Sequence, residues 1–562
     1  MGGYFSCNVE ILEGIVVLLM IKKLKAYFLY TAEDKDFVTF SRQLFENAKD
    51  SNLRGGEHQK KILVDCSHLS YSKWNIKLLL IVSNRLRSGI GEVHGFYPSR
   101  FFIWNTFNSL IISLLKAIFN KDKILARSIG VTELKRLGFS SFKLIYESYK
   151  LAKFAQKTFQ NKKDLLSFSI EGVVVGDLIY DTYLKWYRKP TVDIHDKRLL
   201  MLLIAAHYLF KKFSYLSKIE KYEEVYLTHS VYLVFGIAAR VSLKHGASVF
   251  ITQNTRGLFL QRLSDDHVHQ TPRFEGYKQS FSLLDSEEQT AAICLARKKL
   301  HERLSGKVDG SISYMRKSAY SFAESGFIDL VEYFPGKPYA LIMLHCFFDS
   351  PHIYRWMIFE DFYEWVVHCL ELLEVNELNV IVKGHPNGLN GNQEVVENLK
   401  KRFHKANFLS SQINNNDLLR ADNIKVALTV YGTMAHEFCY KGVPVINAGD
   451  NPHIAYGFSK TPRTVEAFNR AVIDSMAGVG SDIETEEVEQ FYYMNYLADK
   501  PGYIRCYDEQ IEAGFSCVAR YREIFDVIDK ITLAQLNTEI DRCLEELSDV
   551  VKKSDNGHKL PG

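Results

Sequence analysis

From residue 339 to residue 447, short apolar runs alternate with amphipathic segments, and this alternation limits the fold more than any other feature. Residues 339–344 (YALIML), 378–382 (LNVIV), 407–409, 426–430 (VALTV) and 443–447 read as buried strands. Residues 359–373, 393–404, 417–421 and 434–440, lying between them, carry helical periodicity or a helical turn. Strands that alternate with helices pair in parallel, and the helices cover both faces of the sheet. The pattern predicts a doubly wound α/β domain, in which ligands sit beyond the carboxyl ends of the strands.

The chemically notable residues of this stretch all fall at those ends. His345 and Asp349 follow the first strand, and Lys383, His385 and Pro386 close the second. Gly432 and Thr433 follow the 426–430 strand and open a helix that carries Glu437 one turn on. An imidazole on a stiff His-Pro turn is a phosphate partner when protonated, and Lys383 adds charge on the same side. Backbone N–H groups and the Thr433 hydroxyl at a helix start face an anion, and a carboxylate one turn in accepts both hydroxyls of a ribose. Each residue has a plainer reading too: Thr433 as an N-cap, His385 as a structural histidine, Glu437 as a surface acid. Their convergence favours a nucleotide site.

The first half mixes short strands with long helices. Residues 61–66, 224–228 and 247–252 read as strands, and residues 139–160, 198–215 and 231–245 as helices; residues 78–82 fit a strand or a helix start. Residues 224–252 thus form a βαβ unit. Two loop-to-helix passages carry acids or an imidazole. Glu171, Asp177 and Asp181 are candidate bases for an acceptor hydroxyl, or else a cap and surface acids; His229, in Thr228-His229-Ser230, is an alternative base.

The chain has 562 residues, which predicts at least two domains. A net charge of +4 excludes a polycation, yet residues 111–165 hold 12 Lys and Arg against 4 Asp and Glu. That basic stretch suits an anionic membrane or polymer, or is a solvated face. The nine cysteines form no C-x-x-C pair, which suits reduced cytosolic thiols. The apolar run 14–21 is followed by lysines rather than a cleavage site and does not read as a signal peptide. Residues 101–119 are apolar but interrupted by Asn105, Asn108 and Lys116, which suits a buried helix or a monotopic membrane contact better than a span. There is no Walker A run, no G-x-G-x-x-G after a strand and no H-E-x-x-H; Asp265-Asp266 is a weak metal match, and no metal site is expected.

On these residues the chain resembles the bacterial capsule and surface polysaccharide biosynthesis proteins, glycosyltransferases of GT-B type. His345, Asp349, Pro351-His352 and the segment FEDFYEW resemble the family's first strand and helix. Lys383-Gly384-His385-Pro386 resembles its His-Pro element. Gly432-Thr433 through Glu437, Gly442-Val443-Pro444, Gly449 and Tyr456-Gly457-Phe458 resemble its donor-site end. Glu171-Gly172, Gly176-Asp177 through Tyr183, and Thr228-His229-Ser230 resemble its acceptor-side motifs. Gly384 departs from the more frequent Lys-Pro-His-Pro or Arg-Pro-His-Pro run and leaves the donor base open.

The resemblance implies two Rossmann-like domains facing a cleft, with additional helices. An acceptor domain would span residues 1–330, a nucleotide-sugar domain 331–475, and helices of 476–562 would return to the first domain. His345, Asp349, Lys383, His385, Pro386, Gly432, Thr433 and Glu437 would bind the donor, a CMP- or UDP-linked sugar, without metal or other cofactor. Asp177, Glu171 or His229 would act as the base. The acceptor would be an oligo- or polysaccharide, lipid-linked or free, and the enzyme would work in the cytoplasm at the inner face of the membrane, with no nucleic-acid partner. Transfer of glycerol phosphate from a CDP-glycerol donor, and a non-catalytic nucleotide-sugar-binding role in an export complex, are the alternative readings.

Overall fold

The computed structural model describes residues 32–49, 60–67, 69, 72–97, 121–137, 141–252, 258–264, 268–269, 274–307, 318–321, 336–386, 388–419, 423–479, 483–498, 504 and 533–557. The apolar runs 14–21 and 101–119 and the Asp265-Asp266 pair lie outside these residues.

The first unit runs α1 (Ala32–Lys49), β1 (Lys60–Asp65), α2 (Ser72–Arg87), β2 (Ile90–Tyr97), α3 (Lys121–Ser128), β3 (Glu133–Arg136), α4 (Phe142–Thr158) and α5 (Lys162–Leu166). A small hairpin, β4 (Ser169–Ile170) and β5 (Val173–Val174), leads into α6 (Gly176–Tyr187), α7 (Lys197–Glu220), β6 (Glu224–Leu227), α8 (Leu233–Lys244), β7 (Ser248–Ile251) and β8 (Gln261–Leu263). The sheet order is β3-β2-β1-β6-β7-β8, parallel except for β8, which runs antiparallel to β7. Alternate strand residues feed two cores. Leu63, Val225 and Leu227 meet α6, α7 and α8 on one face, while Ile62, Val64 and Tyr226 meet α2 on the other. Residues 78–82 lie inside α2, and the strands β2 and β3 carry polar and glycine residues that hide them from an apolar-run reading. Among the described helices, α7 alone has the length and hydropathy of a membrane span; 67% of that window is buried inside the fold.

The second unit runs α9 (Tyr277–Ser282), α10 (Ser286–Leu304), β9 (Tyr339–Met343), α11 (Phe362–Val375), β10 (Asn379–Lys383), α12 (Asn392–Arg402), β11 (Asn407–Leu409), α13 (Asn415–Leu419), β12 (Ile424–Thr429), α14 (Met434–Tyr440), β13 (Val445–Asn447), α15 (Val465–Met476) and α16 (Thr485–Tyr492). Its order, β11-β10-β9-β12-β13, is all parallel. Each sheet therefore reverses direction beside its first strand, as in doubly wound nucleotide-binding sheets. The α/β class, with two Rossmann-like units and extra helices, is the one expected.

The unit boundaries differ from those expected at residues 330 and 475. Phe274, Tyr277, Phe281 and Ala292, from α9, α10 and the turn before them, share a core with Leu341 and Ile381 of the second sheet. Val488 and Phe491 of α16 join that core, and Arg297 of α10 pairs with Glu489 at 2.7 Å. Beyond α16, Ile504 and α17 (Leu533–Gly557) return to the first unit: the Ile504 N–H donates to the Leu258 carbonyl at 3.1 Å, Leu536 and Ile540 join the core under α2, and Asn84 Nδ2 donates to Asp541 Oδ1 at 3.1 Å.

Candidate functional site

The crevice at the carboxyl edge of the second sheet opens where β9 lies between β10 and β12. His345 follows β9. Its Nε2 accepts from the backbone N–H of Val430 at 3.2 Å and lies 3.1 Å from Thr429 Oγ1, while its ring stacks on Phe362. Burial, helped by the nearby His385, holds it down to about 3, so the ring is neutral. His345 therefore fixes the loop after β12 through Nε2, and the donor-ligand role expected of it would fall to Nδ1–H. The turn it braces needs Gly432. A Cβ there would stand 2.8 Å from Thr429 Oγ1, the atom that accepts the Gly432 N–H. Thr433 is exposed, and its side chain caps nothing, so the plain N-cap reading does not hold.

Lys383 and Glu437 are both buried and already paired. Lys383 Nζ donates to Asn415 Oδ1, and burial pulls the ammonium down to about 8 against the attraction of Glu437. One Glu437 oxygen accepts from Arg303 Nε at 2.7 Å, and the other from the Tyr320 hydroxyl at 2.8 Å. The carboxylate expected on a ribose is thus closed by Tyr320 and Arg303, residues with no spacing signal to mark them. His385 and Pro386 form the turn after β10. Burial lowers His385 below the ordinary imidazole value; Asp349 opposes the shift and Lys383 adds to it. Burial therefore opposes the protonated form in which this imidazole would partner a phosphate.

The first unit faces this crevice with α6. The helix starts hard against α5, since a Cβ on Gly176 would fall 1.8 Å from the Leu165 carbonyl oxygen. Asp177, Asp181 and Lys185 then stand at four-residue intervals along one face. Arg240 of α8 takes both oxygens of Asp177, at 2.7 and 2.5 Å. Burial works to raise Asp177, but the Arg240 charge and hydrogen bonds outweigh it and hold the carboxyl below its usual value. A carboxylate clamped in this way does not fit the base expected at Asp177.

One turn later the partner comes from the second unit. His352, in the turn Pro351–Ile353 after β9, places Nδ1 2.6 Å from Asp181 Oδ1. Burial lifts Asp181 to about 6 against the pull of His352. Burial would lower His352, but Asp181 prevails and raises it. The other ring nitrogen, His352 Nε2, is buried and makes no hydrogen bond. A further turn along, Asp349 Oδ1 lies 3.4 Å from Lys185 Nζ and accepts from the Tyr232 hydroxyl at 3.2 Å, with its side chain 53% exposed. Tyr180 and Thr191 both donate to Asp361 Oδ2 at 2.5 Å and lock the units beside this row.

The two other expected bases are not members of this row. Glu171 occupies the left-handed turn of the β4–β5 hairpin, φ 51°, beside Lys244 in the last turn of α8 and away from Asp349. His229 stands behind Tyr232, with its ring 4.2 Å from that of Phe235. His352 escaped the base assignment because its partner lies 171 residues away in sequence. Among the described residues, one group has metal-ligand geometry, His94 with Glu133 and Glu220. Lys61 and Lys135 already hold Glu220 at 2.9 and 2.8 Å, so ammonium groups stand where a cation would.

No family model matches the sequence, and no curated protein matches it. Among solved structures, it is similar to KpsC of Thermosulfurimonas dismutans, a beta Kdo 2,4 transferase, at 15% identity over 49% of this chain and 80% of that one, with a TM-score of 0.30. It is similar to the UDP-GlcNAc 2-epimerase of Methanocaldococcus jannaschii at 11% identity over 77% and 98%, TM-score 0.23. It is also similar to the trehalose 6-phosphate synthase of Burkholderia multivorans at 9% identity over 88% and 100%, TM-score 0.27. Likeness at this level carries no argument about activity, and the chemistry of the site rests on its own residues.

Proposed function

We propose that the chain is a glycosyltransferase that moves a sugar from a nucleotide-sugar donor, CMP- or UDP-linked, onto a growing bacterial surface glycan. The observation that carries this reading is the Asp181–His352 pair, a buried carboxylate–imidazole couple whose members come from two units at their shared crevice. Once the crevice opens to expose the buried His352 Nε2, the acceptor hydroxyl gives its proton to that nitrogen, and Asp181 holds Nδ1–H and stabilises the imidazolium. The new C–O bond forms as the bond from sugar carbon to phosphate oxygen breaks, and its electrons leave with the nucleotide. His385, Lys383 and the Gly432–Thr433 turn receive the departing phosphate, and no metal takes part. For Glu437 to hold the ribose, Tyr320 must move aside. In this reading the acceptor is an oligo- or polysaccharide, free or lipid-linked, handled at the cytoplasmic face of the membrane.

The test is nucleotide release from a panel of CMP-, UDP-, GDP- and CDP-linked donors by wild type, His385→Ala and Asp181→Asn. Loss of donor binding in His385→Ala and loss of turnover with donor still bound in Asp181→Asn are expected. Full turnover in both variants would sink the proposal, and transfer of glycerol phosphate in place of a sugar would replace it with the glycerophosphotransferase reading.

A further inference from the structure

The outward face of α4 is not that of an ordinary solvated helix. Ser148, Ala152 and Ala155 bury its inner side. Lys143, Tyr146, Lys150, Phe154 and Lys157, spaced three or four apart, form its outermost stripe. Tyr146 is 57% exposed and Phe154 71%. The neighbouring α7 runs antiparallel. Gln156, late in α4, donates to the carbonyls of Ile194 and Asp196 just before α7, and Lys211 in mid-α7 meets Glu147 at 3.3 Å. Tyr215 and Ile219 follow Lys211 by one and two turns, so they extend the same surface toward the start of α4, and both are exposed.

Large apolar side chains gathered on one surface mark a contact site. The lysines restrict its occupant. Glu147 is the one acid on α4, and Lys211 neutralises it. A second copy would set lysine against lysine, and like charges oppose that pairing. Nucleic acid would satisfy the lysines but leave Ile219 and Phe154 nothing aliphatic to enter. A bilayer with anionic headgroups satisfies both, since basic helices with aromatic anchors lie in the headgroup and acyl boundary. We propose that this two-helix face docks on an anionic phospholipid bilayer, with Lys150, Lys153 and Lys157 at headgroup phosphates and Tyr146, Phe154 and Ile219 at the acyl boundary. The proposal is independent of the nucleotide-site reading.

Full-length protein is sedimented with vesicles of phosphatidylcholine alone or mixed with phosphatidylglycerol. Binding to the mixed vesicles, weakened by salt, is expected. The double variant Lys150→Glu with Lys153→Glu should lower affinity by about tenfold or more. Tyr146→Ser with Phe154→Ser should lower it without a change of charge, while Lys298→Glu, an exposed position on α10, leaves it intact. Unaltered melting of the variants keeps the comparison fair. Equal binding to both vesicle types, absence of binding, or α4 variants that bind like wild type would overturn the proposal. So would a dimer that only these variants split, or a loss of nucleic-acid affinity with vesicle binding unchanged.

Discussion

Asp177 and Asp181 stand one turn apart on a single helix, yet one is closed by Arg240 within its own unit and the other reaches His352 in the opposite unit. This divergence separates a carboxylate closed within its own unit from one shared between the two units, and the two should respond differently to substitution.

Asp181→Asn keeps an acceptor for the His352 Nδ1–H and removes the charge behind it. Turnover should fall by about 10²–10⁴-fold, the usual range for general-base catalysis. Donor affinity by calorimetry should change little. A variant that turns over at the wild-type rate would remove Asp181 from the mechanism.

Asp177→Ala should act on stability first. It leaves the Arg240 guanidinium buried without its partner, a change that costs about 3–5 kcal/mol. Denaturant unfolding measures this directly. Loss of activity in a fully stable Asp177→Ala protein would show that the clamp is more than structural.

The paired site should impose an acidic limb on the rate. Asp181 raises His352 above the ordinary imidazole value, and once that ring is protonated its Nε2 no longer accepts a proton. The kcat/KM profile should drop as pH falls through the raised His352 value, and the limb should vanish from the residual activity of His352→Ala. Stability moves the other way. Asp181, lifted to about 6, keeps its proton in the folded chain between about 4 and 6 while the unfolded chain has lost it, so this contribution declines as pH rises across that window.

Lys383 gives the opposite slope at alkaline pH. Its folded value of about 8 lies below that of the unfolded chain, about 10.4. The unfolded chain therefore binds the extra proton in that interval, and stability should increase as pH rises from 8 toward 10. Thermal melting of wild type against Lys383→Met checks this: the variant should lose the increase.

Tyr320→Phe removes one of the two donors that close Glu437. The fold should lose about 1–2 kcal/mol. If Glu437 serves a ribose, nucleotide binding should tighten in this variant, because one oxygen no longer has to be vacated. Weaker binding would place Tyr320 itself among the donor ligands.

The second sheet was legible in the sequence because its strands are fully buried and read as apolar runs; all five lie where the runs predict, within one or two residues. The first sheet was less so. Strand β2 carries Gly91, Glu92, His94 and Gly95, and β3 is Glu-Leu-Lys-Arg at an edge, so neither shows an apolar run. At the site, position along the strands was readable and partnership was not. Asp349 and His385 do line the crevice, but nothing in the sequence near His345 announces that its nitrogen is taken by Val430 N–H, or near Glu437 that Tyr320 reaches it from 117 residues away. Hydrogen bonds between distant segments leave no periodic trace.

The return of α17 to the first unit has a consequence for biosynthesis. Leu536, Ile540 and Cys543 sit in the same core as Ile62 and Val64, so this core of the first sheet is completed only after the second unit has been synthesised. Among the described residues, the buried core of the second unit reaches no further along the chain than Met494. During synthesis, the second unit therefore gathers its described core before the first does, and until residues 536–547 arrive the core under α2 lacks Leu536, Ile540, Cys543, Leu544 and Leu547.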